Sequence, residues 1–80
     1  MSLSVKGAAI AAGATWGLGM FLLGLASLFF NWGTAMTDML GSLYIGYTPT
    51  IVGSFIGGVW GFVDGAIGGA VFAFLYNKFA

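Results

Sequence analysis

The chain of 80 residues contains no cysteine and no histidine. That removes disulfide frameworks, zinc and iron–sulfur centres, imidazole-ligated haem and every Cys/His nucleophile pair. Charge is almost as scarce: Lys6 and Lys78 stand against Asp38 and Asp64, giving a net charge of zero and 5% charged residues. Soluble globular domains carry about 25%. Without a basic patch there is nothing to hold nucleic acid, and no metal, cofactor or enzymatic activity is expected. What remains is 60% hydrophobic, with a mean hydropathy of +1.05. A water-soluble chain this short struggles to bury a core, and this one has no polar surface to wrap around one. Its natural solvent is lipid.

The few charges divide the chain. Residues 3–30 form one apolar run and residues 49–78 another, each longer than the ~20 residues that cross a ~30 Å hydrocarbon core. Apart from Lys6, neither run holds a charge until Asp64. The first run is too long for the ~7–15-residue apolar region of a cleaved leader, so it reads as a retained span. Thr48-Pro49 predicts the start of the second helix, with Thr as N-cap and Pro in the first turn. Both lysines lie near the chain ends and none lies in the connection. The positive-inside rule therefore predicts a multi-pass membrane protein with both termini cytoplasmic.

The connection, residues 31–48, is itself patterned. Met36, Met39, Leu40, Leu43, Tyr44 and Tyr47 recur at three- and four-residue steps, the spacing of one helical face. This predicts a short helix lying in the outer interface, with Trp32, Tyr44 and Tyr47 as an aromatic belt. The expected fold is thus an all-α membrane protein: a single domain over residues 1–80, a two-span transmembrane hairpin with a short interfacial helix and glycine-ladder packing.

The ladder is the strongest pattern. Gly53, Gly57, Gly61, Gly65 and Gly69 recur every fourth residue, and Gly13 and Gly17 begin a shorter series in the first span. Residues four apart share a helical face, so the ladder makes a strip without side chains. In lipid such strips let backbones approach closely, and van der Waals contact then drives association. The strip could close the hairpin upon itself, or serve contacts with further copies or a larger membrane complex. Each step of four advances about 400°, so the strip drifts by about 40° per glycine and winds around the helix.

Asp64 lies about 21 Å along the helix from Thr50 and from Lys78, close to the expected bilayer midplane. With Gly61 at zero on the helical wheel, Asp64 falls at about −60°, on the glycine side. A charged Asp at that depth costs about 2.5–3.5 kcal/mol on insertion scales, so it has to be neutralised, hydrogen-bonded or wetted. An antiparallel hairpin sets it level with Thr15 and Trp16, whose hydroxyl and indole N–H are candidate partners. Two roles fit: an ion or proton site, or a structural carboxyl that fixes helix register.

Two resemblances bear on this. The stretch Gly61-Phe62-Val63-Asp64-Gly65 is similar to the ion-binding site of the proteolipid subunit of rotary ATP synthases. That family joins its helices by a short polar loop with a basic residue, whereas this connection is long and apolar and has no Lys or Arg. A fuller pattern comprises Ser4-Val5-Lys6, Thr15-Trp16-Gly17, Gly46-Tyr47-Thr48-Pro49-Thr50, the stretch from Gly57 to Gly65, Gly68 to Ala73, and Leu75-Tyr76-Asn77. It resembles a family of small bacterial membrane proteins labelled "bacteriophage holin", which implies a lipid-embedded, oligomeric protein. Three functions are therefore expected to compete: a holin-like self-associating protein, an accessory subunit of a larger complex, and an oligomer carrying ions on Asp64.

Overall fold

The computed structural model describes residues 2–80 and is all-helical over them. Helix α1 covers Val5–Phe30, α2 Thr34–Gly41 and α3 Ile51–Phe79. The two long helices are each long and apolar enough to cross a membrane. They lie antiparallel in a body 44 Å long and 18 Å wide, a length that matches the ~40–45 Å of a bilayer with its headgroups.

Local chemistry sets the helix ends. Ser4 caps α1 by accepting from the Gly7 N–H at 3.0 Å. Asn31, in the left-handed region at φ 52°, stops it, a conformation that Asn tolerates better than most residues. For α3 the cap is Thr50 rather than Thr48: its hydroxyl accepts from the Gly53 N–H at 2.8 Å. The Thr50 N–H turns back to the Thr48 carbonyl at 2.8 Å, a two-residue closure of the γ-turn kind. Pro49 is thereby spent in the turn before the helix, and α3 begins at Ile51.

At the open end of the hairpin, the Asn77 side chain donates to the Leu3 carbonyl at 2.8 Å and accepts from its N–H at 2.7 Å. Large apolar side chains all along both helices face outward, among them Leu18, Phe55, Val59 and Val71.

The connection holds the expected short helix but not the whole of the expected face. Helix α2 ends at Gly41, so Leu43, Tyr44 and Tyr47 do not continue its face. Gly33 at φ 70° and Gly46 at φ 89° redirect the chain, which folds back along the hairpin. Gly46 then reaches Ile56 and the Tyr47 ring covers Gly57. The inner face of α2 carries Thr37, which is fully buried, while Met36 and Met39 point out. Thr37 keeps its hydroxyl satisfied on the Gly33 carbonyl at 3.2 Å, which is what lets a polar residue take the inside position.

Candidate functional site in the middle of the hairpin

Several glycines singled out by their spacing meet across α1 and α3. A methyl group in place of a hydrogen on Gly61 would lie 2.9 Å from the Gly17 Cα and 3.1 Å from the Trp16 carbonyl oxygen. On Gly65 it would lie 2.6 Å from the Ala12 carbonyl, and on Gly69 2.5 Å from that of Ala8. From the α1 side, Gly13 abuts the Phe62 carbonyl and Gly17 that of Gly58, each at 2.7 Å by the same measure. At the connection end of the hairpin, Gly24 presses on Ser54, which is fully buried.

Gly57 and Gly53 do not face α1. Gly57 lies under the Tyr47 ring, and Gly53 backs onto Thr48. The winding of the four-residue spacing explains the division. Relative to Gly61, Gly57 and Gly53 fall at about −40° and −80°, Gly65 and Gly69 at about +40° and +80°. The negative side of α3 meets the folded-back connection, and the positive side meets α1.

Asp64 belongs to the negative side, and its partner comes from there. The Tyr44 hydroxyl donates to the Asp64 carboxylate at 2.5 Å. Thr15 is committed elsewhere, donating to the Ala11 carbonyl of its own helix at 2.7 Å. Trp16 sits beside the Tyr44 phenol instead of bonding Asp64 directly, and half of its side chain is exposed. Among the described residues, Tyr44 is the hydrogen-bond partner of Asp64. The carboxyl group remains on the outer surface of the hairpin.

Two further bonds hold the connection beside this pair. The Tyr47 hydroxyl donates to the Met20 carbonyl at 2.6 Å, and the Trp60 indole N–H donates to the Ile45 carbonyl at 3.0 Å. Tyr44 also packs against Trp60, with ring centroids 6.0 Å apart. Tyr44 and Tyr47 are the residues that spacing alone does not bring to this site, whereas Trp60 lies one helical turn before Asp64 on α3. The available signal was the pair of glycines, Gly41 and Gly46, which interrupt the helical face of the connection and allow it to turn back.

Past Asp64 the connection no longer reaches. Gly68 has nothing within 4 Å of its missing methyl. A trough of about 590 Å³ opens there, lined by Ala8, Ala11, Thr15, Gly65, Gly68 and Phe72. Chemically, the site is one carboxylate, one phenol and one indole in apolar surroundings. It can donate and accept hydrogen bonds, and the phenol proton faces the carboxylate directly. Among the described residues no cluster of carboxylates could hold a metal ion.

No family model matches this chain, and no curated protein or solved structure matches it either.

Proposed function

We propose that this chain is a small, non-enzymatic integral membrane protein of a bacterial cell membrane, crossing it twice and self-associating there, holin-like by resemblance. Asp64 carries the reading. Its carboxyl lies on the outer surface of α3, with Tyr44 as its partner, about 20 Å from either end of the helix. A carboxylate has about four acceptor positions, and hydrocarbon supplies no donor for those that Tyr44 leaves open. A second protein surface, or water in a lumen between subunits, resolves that conflict. Lipid alone does so only for a neutral carboxyl.

The outward Leu18, Phe55, Val59 and Val71 support immersion in a bilayer, since soluble monomers rarely expose contiguous apolar patches beyond a few hundred Å². In this reading the glycine ladder has two duties. Gly61, Gly65 and Gly69 let α1 and α3 approach closely, and Gly68 leaves a smooth place for a neighbour. Lys6 and Lys78 put both termini on the cytoplasmic side.

The test is the particle mass of the protein extracted in its own lipid. Several copies of this chain are expected. A single copy bound to an unrelated membrane protein would transfer the reading to an accessory subunit, and a lone monomer would overturn both.

A further inference from the structure

Asp64 is exposed, and Tyr44 engages one of its two carboxylate oxygens. Among the described residues the other oxygen has no hydrogen-bond partner. The chain's own cations do not answer it. Lys6 and Lys78 both lie toward the open end of the hairpin, Lys78 about 21 Å along α3 from Asp64.

Aromatic rings stand around this carboxylate. Trp16 flanks the Tyr44 phenol from α1. Trp60 packs on the Tyr44 ring and precedes Asp64 by one turn of α3. Both indoles are partly exposed, Trp16 at 45% and Trp60 at 42%, so their negative faces remain open to a cation. One turn beyond Asp64 the surface changes, because Gly68 has nothing within 4 Å of its missing methyl. The trough of about 590 Å³ begins there and ends at Phe72, over a floor of small residues. Its size falls in the ~300–1,000 Å³ range of small-molecule sites. Trp16 lines the trough as well, and so joins it to the carboxylate.

We propose that Asp64, Trp16 and the trough form a binding site for an amphipathic organic cation, a quaternary ammonium with an apolar tail. The head lies between the Asp64 carboxylate and the Trp16 ring, and the tail lies along Gly68 toward Phe72. Charge selects this occupant. A neutral apolar molecule would fill the trough and leave the carboxylate unanswered, and an anion would be repelled. Inorganic divalent cations need a shell of oxygen ligands, whereas this site offers one carboxylate and no cluster that could hold a metal ion. A quaternary ammonium asks for no hydrogen bonds and is suited to a carboxylate beside aromatic faces. It also dissolves in the bilayer, so it reaches Asp64 from the lipid side. Tyr44 keeps its bond to Asp64 throughout. The proposal rests on the chain's crossing a membrane and is independent of how many copies associate.

Octyltrimethylammonium is the probe, measured by equilibrium dialysis against the full chain in bilayer discs, with protein-free discs subtracted. One saturable site per chain is expected, and octanol and octyl sulfate, which carry the same tail, should show none. Asp64→Asn keeps an acceptor for Tyr44 and should weaken binding about tenfold or more. Trp16→Leu should weaken it about threefold or more. Gly68→Leu meets no neighbouring atom and should shut out the tail. Asp38→Asn, on the exposed side of α2, should change nothing. Binding that survives Asp64→Asn, or octanol binding as well as the cation, would overturn the site. The comparison of the three probes needs no variant, so it decides even where a substitution unfolds the hairpin. Particle mass of the same discs reads association separately: a lone hairpin that binds the cation keeps this site and overturns self-association, and an oligomer that binds none does the reverse.

Discussion

Gly17 and Gly61 meet backbone to backbone: a methyl on Gly61 would come within 2.9 Å of the Gly17 Cα. The Met20 sulfur, 3.0 Å away by the same measure, can move aside, but the Gly17 Cα and the Trp16 carbonyl are main-chain atoms of α1 and cannot. Overfilling a contact of this kind costs about 1–3 kcal/mol or forces the helices apart.

Gly61→Leu is therefore expected to open the hairpin, whereas Val59→Leu, on the outward surface at 66% exposure, is expected to change little. Crosslinking between cysteines placed near the Gly13–Ala66 level, in membranes, measures the difference. Equal yields from the two variants would mean that helix approach at Gly61 is unimportant.

The Tyr44–Asp64 pair predicts coupled substitutions. Tyr44→Phe and Asp64→Leu each break the same bond, so the double variant should lose less stability than the two singles summed, by about 1 kcal/mol or more. Unfolding in mixed micelles reads this cycle. Additive effects would indicate that the bond contributes nothing.

Asp64→Asn keeps an acceptor for Tyr44 and removes the ionisable proton. If Asp64 is a structural carboxyl, assembly and any activity survive. If it carries protons, assembly survives and proton flux through reconstituted vesicles disappears. The structural outcome is the one expected, because Tyr44 and Trp16 are the polar groups beside Asp64 and neither leads to a second carboxylate.

Tyr47 combines a buried ring with a bond to the Met20 carbonyl. Tyr47→Phe should cost about 1 kcal/mol for the lost bond. Tyr47→Ala should cost about 3–5 kcal/mol, since it also leaves a void over Gly57. Similar melting temperatures for the two variants would show that the ring does not hold the connection down.

Single cysteines test the orientation. A membrane-impermeant reagent outside the cell should label Met39→Cys and leave Ser2→Cys and Phe79→Cys untouched. Labelling at position 2 or 79 without labelling at 39 would reverse the topology.

Two long apolar helices joined by a short one are legible in the sequence because composition and span length impose them almost without regard to detail. The start of α3 was less legible. Thr48 and Thr50 both offer a capping hydroxyl, and the turn through Pro49 decides between them. The partner of Asp64 was not legible at all. Levels along an antiparallel pair point to Thr15 and Trp16, but the connection's return path decides the contact. That path depends on backbone conformations at Asn31, Gly33 and Gly46, where a side-chain period carries no information. Leucine-like spacing in the connection suggested a surface lying flat, yet Gly41 ended the helix and the two tyrosines turned inward.

The bonds between Leu3 and Asn77 have a practical meaning for anyone attaching reporters to this protein. Because they bring the two chain ends side by side, halves of a split fluorescent protein fused to the two termini of one molecule would complement each other in an isolated hairpin. Such a signal would say nothing about neighbours. Only halves carried on separate molecules, one terminus each, report that two hairpins have met.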